Sequence, residues 1–211
     1  MHKKEEGFLR ALSEDVLHAL HQVGDNATVT DRRNALRAII SAAEGLAWIY
    51  RSHVVSIARD MEAIAPLEEM AFAEVSVFVS EAGKVSKQPR NLSMTASIRL
   101  TTNVAKSLAP ELIVDFGTTE WENLKSAIKA RNRVTHPKGS LDLIVSDDDI
   151  GRARSGFFWL VTLVGNVMER TVEAYSEYVA GSTDVVGDLI KGDPQTVAMY
   201  RRALKEGGDP G

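Results

Sequence analysis

The chain predicts an all-α fold, a single-domain, up-and-down bundle of long helices. Three observations point there. Nine apolar positions recur at steps of three and four from Ile150 through Ala153, Phe157, Leu160/Val161, Val164, Met168, Val172 and Tyr175 to Val179. A second stripe of the same period runs from Leu36 through Ile39/Ile40, Ala43, Ala47, Tyr50, Val54, Ile57 and Met61 to Ile64. That spacing is the buried line of an amphipathic helix. Helix-start residues and helix-breaking glycines or prolines punctuate the intervals between stripes.

Taken in order, residues 5–23 form a first helix through Phe8/Leu9, Leu12, Val16, Leu20 and Val23, stopping at Gly24. His18 and His21 lie three apart on it, but no carboxylate on the next turn completes a metal-ligand set. Thr28 or Thr30 caps a second helix reaching about residue 64, a length that suggests a kink or a dimer contact. Glu44 lies on the shoulder of its stripe with Arg37 and Arg51 one heptad to either side, and Trp48, one turn on, reads as a packing residue in preference to one that stacks a base. Pro66 suits a first helical position and opens a third helix to residue 82. Within it Val75 to Val79 alternates like a strand, but no second strand is evident, so the helix is preferred. Residues 83–91 read as a basic loop, 92–108 as a fourth helix, and 110–118 as a connection broken at Gly117.

The stretch 119–138, the fifth helix and its end, carries the candidate site. Thr119 and Glu122 have the spacing of a capping box. Pro137 disfavours helical geometry at His136 and ends the helix there. The apolar line Trp121, Leu124, Ile128 continues by three to Arg131 and by four more to Thr135. An arginine therefore stands where the pattern asks for a hydrocarbon, and a permanent cation is seldom buried without a partner. After a loop at 138–145, with a possible extended piece at 141–145, Ser146 and three aspartates open the strongest helix, predicted to end at Gly181. Aspartates in a first turn favour the positive end of the helix dipole, and three neighbours on one turn diverge rather than converge on a metal. Of Phe157, Phe158 and Trp159, one must be exposed or at an interface, and an interface is favoured. The division is thus a helical domain over 1–181 and a tail over 182–211, with short helices at 185–190 and 193–204 and fraying at 207–211.

The hexad Arg131-Asn132-Arg133-Val134-Thr135-His136, followed by Pro137, resembles the R-N-x-x-x-H motif of the HEPN superfamily, the higher eukaryotes and prokaryotes nucleotide-binding domains. The resemblance rests on these residues at the end of a capped helix in an otherwise helical chain. It implies a HEPN-type helical bundle, a homodimer with a composite site, and metal-independent endoribonuclease activity, as in toxins or phage-defence effectors. It also implies control by an antitoxin or a nucleotidyltransferase-type partner. By the same resemblance Arg131 and His136 are catalytic, Asn132 supports the motif, and Glu44 is the acidic residue of an early helix facing it. Arg133, Lys129 and Lys138 are candidate substrate contacts, though helical geometry points Arg133 away from the Arg131 stripe.

The chemistry fits those residue types. Metal-free RNA cleavage needs a group to take the ribose 2′-OH proton, a group to protonate the departing 5′-oxygen, and positive charge on the phosphate. A histidine serves as acid or base near neutrality. A guanidinium grips two phosphate oxygens in a fixed fork. One chain offers a single motif histidine, and a two-fold partner would supply the second. The structural alternative is a core-edge Arg131 paired with Glu44 or a helix carbonyl, with His136 favourably placed on the helix dipole. In that case the chain is a non-catalytic dimerisation or binding module.

Bulk properties narrow the classes. Of 211 residues, 44% are hydrophobic and 26% charged, an ordinary globular composition with room for a substantial core. There is no cysteine, which excludes disulfides and thiolate metal sites. No apolar run approaches the ~20 residues that cross a bilayer, and the N-terminus lacks a secretory apolar core. A cytoplasmic protein with no membrane partner and no cofactor is expected. Residues 83–138 hold ten Lys and Arg against four Asp and Glu, a local +6 within a net charge of −4. A basic segment around the motif suits a polyanion, and equally an ordinary solvated face. No glycine-rich phosphate loop, internal repeat or helix–turn–helix pattern is present.

Overall fold

A computed structural model of the chain describes residues 3–24 and 27–206. The expected fraying at 207–211 lies outside them. The described residues form α1 (Lys3–His21), α2 (Val29–Asp60), α3 (Pro66–Phe72), β1 (Val75–Val79), β2 (Val85–Pro89), α4 (Met94–Leu108), α5 (Thr119–Thr135), a 3-10 turn (Ser140–Leu143), α6 (Asp147–Lys191) and α7 (Pro194–Glu206). The protein is mostly helical, as its apolar periodicities predict.

Two compact units meet inside α6, the first ending at Thr171 and the second beginning at Val172. In the first, α2 is the central rod. It buries fourteen side chains, among them Leu36, Ile39, Ile40, Tyr50 and Val54, and packs against α1, α4 and α5. Side chains of this size each contribute roughly 1.5–3 kcal/mol when removed from water. Its start is a capping box: Thr28 Oγ1 accepts the Asp31 N–H at 3.2 Å, and Asp31 accepts the Thr28 N–H at 2.8 Å. At its middle the buried Tyr50 hydroxyl lies 2.9 Å from Thr102 Oγ1 on α4. Thr102 already donates to the Ile98 carbonyl, so the Tyr50 hydroxyl donates to Thr102. Burial raises the Tyr50 pKa, so the group stays neutral.

Gly156 sets how closely α6 crosses α5. A Cβ there would lie 2.5 Å from both the N and the Cα of Leu124, so only glycine permits this backbone approach. The helix that carries the candidate site is thereby held against the first part of α6.

Several expected boundaries move. The third helix ends at Phe72, and 75–89 is an antiparallel hairpin in which Val77 pairs with Lys87 and Phe78 with Ser86. The alternation at 75–79 did denote a strand, and its partner was the stretch read as a basic loop. Glu74, at φ 54°, breaks α3 from β1, and Gly83, at φ 72°, closes the turn. The α5 cap is Thr118 rather than Thr119: Thr118 Oγ1 accepts the Trp121 N–H at 3.3 Å. Glu122 consequently sits one place beyond the reciprocating position and pairs with Lys125 at 2.6 Å. The extended piece expected at 141–145 is instead the 3-10 turn.

Gly181 does not stop α6. A glycine inside a helix weakens it by about 1 kcal/mol, but termination needs a left-handed residue just past the end. That residue is Gly192, at φ 75°. Its N–H bonds the Leu189 carbonyl at 3.1 Å and the next N–H, of Asp193, bonds the Asp188 carbonyl at 2.9 Å, a Schellman pair. The predicted helix at 185–190 is therefore the end of α6. In the second unit no described side chain from Val172 to Lys205 is buried, and Val185, Val186, Ile190, Met199, Tyr200 and Leu204 are exposed.

The three aspartates that open α6 go to separate partners. Asp147 pairs with Arg32 at 2.6 Å and Asp148 with Arg152, while Asp149 completes a capping box with Ser146 at 3.0 and 3.1 Å. Among the described residues no three His, Asp or Glu side chains converge as a metal site would require. Among the described residues no helix is long and apolar enough to cross a membrane.

Candidate functional site

The inward line of α5 is Trp121, Leu124, Ala127, Ala130 and Val134, all buried. Arg131 belongs to the same face, three residues before Val134, and its side chain is 20% exposed. The sequence continuation to Thr135 was one residue off: Thr135 is exposed and its hydroxyl donates to the Arg131 carbonyl at 2.8 Å. The buried face is carried by the small residues Ala127 and Ala130, and Ile128, read as inward, is only partly buried.

Arg131 reaches across to α2, where its Nη2 forms an ion pair with Glu44 Oε1. Residues 87 positions apart in the chain thus meet because α5 lies against α2. The Arg131 Nε is buried and has no hydrogen-bond acceptor among the described residues. A charged donor held in this way is costly to leave unmatched. Glu44, by contrast, is 48% exposed, so solvent weakens the pair.

Asn132 and His136 flank that position differently. The Asn132 carbonyl accepts the His136 N–H at 3.0 Å, the last helical bond of α5, and its side chain is exposed. His136, at φ −123° and ψ 61°, has left helical geometry, as the following proline requires. Its imidazole is exposed and has no hydrogen bond or ion pair among the described residues. Lys129 and Lys138 are exposed as well, and the Lys138 N–H is fixed to Asp142 Oδ2 at 2.7 Å.

Arg133 has a different employment from the phosphate contact expected of it. Its Nη1 donates to the carbonyls of Leu141, Asp142 and Ile144 at 3.2, 2.9 and 2.8 Å, and its Nη2 lies 3.7 Å from Asp149. It points away from the Arg131 face, as helical geometry required, and staples the 136–145 segment to the end of α5. No periodicity marks such a role, because the acceptors are backbone atoms of an irregular segment.

A shallow cleft of about 200 Å³ opens beside Glu44, lined by Ala47, Trp48, Arg51, Leu92, Met94 and Ser97. Trp48 is 52% exposed there, contrary to its reading as a packing residue. The signal was its position: Ala47 and Tyr50 lie on the buried line of α2, and Trp48 falls with Glu44 on the shoulder. Arg51 pairs with Glu74 at 2.7 Å, and the Glu74 carbonyl accepts the Arg90 N–H at 2.7 Å. The base of the basic hairpin is thereby tied to the rim of this cleft.

No protein-family profile, curated protein or solved structure matches this chain.

Proposed function

We propose that the chain is a metal-independent endoribonuclease of the HEPN type, acting as a homodimer with Arg131 and His136 contributed by each copy. The observation that carries this reading is the pairing of a half-buried guanidinium, with one donor unmatched, and an exposed imidazole released from the helix five residues later. Arg131 binds the scissile phosphate, taking over contacts now shared with Glu44. One His136 accepts the ribose 2′-OH proton as the 2′-oxygen attacks phosphorus. The second, across the two-fold axis, gives a proton to the 5′-oxygen as the P–O bond breaks. The products are a 2′,3′-cyclic phosphate and a free 5′-hydroxyl, with atoms and charge conserved.

Glu44 keeps the cation neutralised until substrate arrives, and Asn132 holds the end of α5 through its carbonyl. The exposed apolar side chains of the second unit favour a second copy, because two helices without a buried residue do not stabilise themselves. A toxin or phage-defence setting, with an antitoxin or nucleotidyltransferase-type regulator, extends the same resemblance.

The test is RNA cleavage by purified protein in excess EDTA, followed by analysis of the new ends. Wild-type protein should leave cyclic phosphate ends and His136→Ala should leave RNA intact. Equal RNA integrity with both proteins would favour the second reading, a non-catalytic helical binding module, to which the Arg131–Glu44 pair is equally suited.

A further inference from the structure

We propose that Trp48 is a stacking platform for one nucleobase of single-stranded RNA, seated in the cleft that Trp48 shares with Glu44; the choice of ligand rests on the nuclease reading above. The other two tryptophans are accounted for by packing. Trp121 is buried, and Trp159 packs on it and on Phe116 at centroid distances of 5.3 and 5.9 Å. Trp48 alone of the three presents more than half of its surface to solvent from the middle of the most deeply buried helix.

Its surroundings match a base better than a protein segment. Leu92, Met94 and Ala47 give an apolar floor, while Glu44, Arg51 and Ser97 supply polar groups at the edge. At about 200 Å³ the cleft is smaller than the ~300 Å³ at which drug-sized pockets begin, so it holds one planar ring system rather than a helix. Glu44 lines the cleft and pairs with Arg131, so a base on Trp48 would have its backbone phosphate close to the guanidinium. Arg90, at the hairpin base that leads into Leu92, adds a further positive charge near the cleft, its N–H bonded to the carbonyl of the Glu74 that pairs with Arg51.

The test uses His136→Ala as background, to prevent turnover, with a short oligoadenylate as probe and an abasic ribose-phosphate oligomer of equal charge as control. The oligoadenylate should quench tryptophan fluorescence, and the quench should vanish in Trp48→Phe while affinity is kept. Trp48→Ala should weaken binding about 5- to 150-fold, the range that one base stacked on an aromatic ring represents. The abasic oligomer should bind all variants alike. Equal oligoadenylate affinity with Trp48 and with Trp48→Ala, a quench that persists in Trp48→Phe, or no binding at all would overturn the proposal. So would burial of Trp48 that rises with protein concentration and needs no RNA, which would put a protein side chain in the cleft. Cleavage by wild-type protein without dependence on Trp48 leaves the nuclease reading standing and removes this one. Trp48-dependent binding without cleavage does the reverse.

Discussion

The absent Cβ of Gly156 would sit 2.5 Å from the backbone nitrogen of Leu124, so the separation of α6 from α5 is fixed by a hydrogen atom. Backbone cannot yield as a flexible side chain can. Gly156→Ala should therefore destabilise the protein by about 1–3 kcal/mol or more, outweighing the ~1 kcal/mol that alanine gains inside a helix. Gly165, whose added Cβ would meet nothing within 4 Å, is the matched control on the same helix, and Gly165→Ala should be neutral or stabilising. Chemical denaturation of the two variants decides the matter.

Arg131 offers a separation of binding from stability. Replacing a half-buried cation by a hydrocarbon of similar length is often neutral or stabilising, because desolvation of the charge is removed. Arg131→Met with Glu44→Gln should keep or raise the melting temperature and abolish RNA cleavage. A loss of stability beyond about 2 kcal/mol would make the arginine a structural residue and count against the role proposed for it at the phosphate.

Arg133 holds three carbonyls of the segment that follows the motif. Each hydrogen bond to a charged donor is worth about 1.5–3 kcal/mol at most, and solvent around this partly exposed side chain reduces that. Arg133→Ala should lower stability modestly, by about 1–2 kcal/mol. It should also speed amide exchange at residues 138–145 while leaving α2 protected. Unchanged exchange in that segment would refute the staple.

The capping box of α2 predicts an acid dependence. The side-chain and then the backbone hydrogen bonds from Thr28 hold the Asp31 carboxyl below its ordinary value of 3.8. A folded pKa below the unfolded one stabilises the protein above the unfolded value, and that contribution fades as pH falls through the folded value. Asp31→Asn should therefore be less stable than wild type near neutrality, and the difference should shrink below about pH 4. Parallel melting curves across that range, showing a gap that stays constant, would contradict the box.

Much of this was legible in residue order, and particular elements show where legibility stopped. The stripe of α2 and the start of α6 follow from period alone, since each buried side chain satisfies a local rule. Val75 to Val79 alternated correctly but was read as helix, because a strand is defined by its partner and that partner, at 85–89, lacks an apolar pattern. Gly181 looked like a terminus, yet the decisive left-handed residue was Gly192. Glycine permits that conformation without compelling it.

The amino-acid sequence by itself determined the long helical stripes of α2 and the start of α6, and put an arginine on an inward face with a histidine freed by proline behind it. Both follow from short-range sterics and a repeating period. Only the tertiary structure decided that Glu44 meets Arg131, that Arg133 turns to backbone carbonyls and that Trp48 stays in solvent. Those outcomes depend on how closely helices distant in the chain approach, which is set by packed volume and unpaired polar groups, not by the order of residues along one helix.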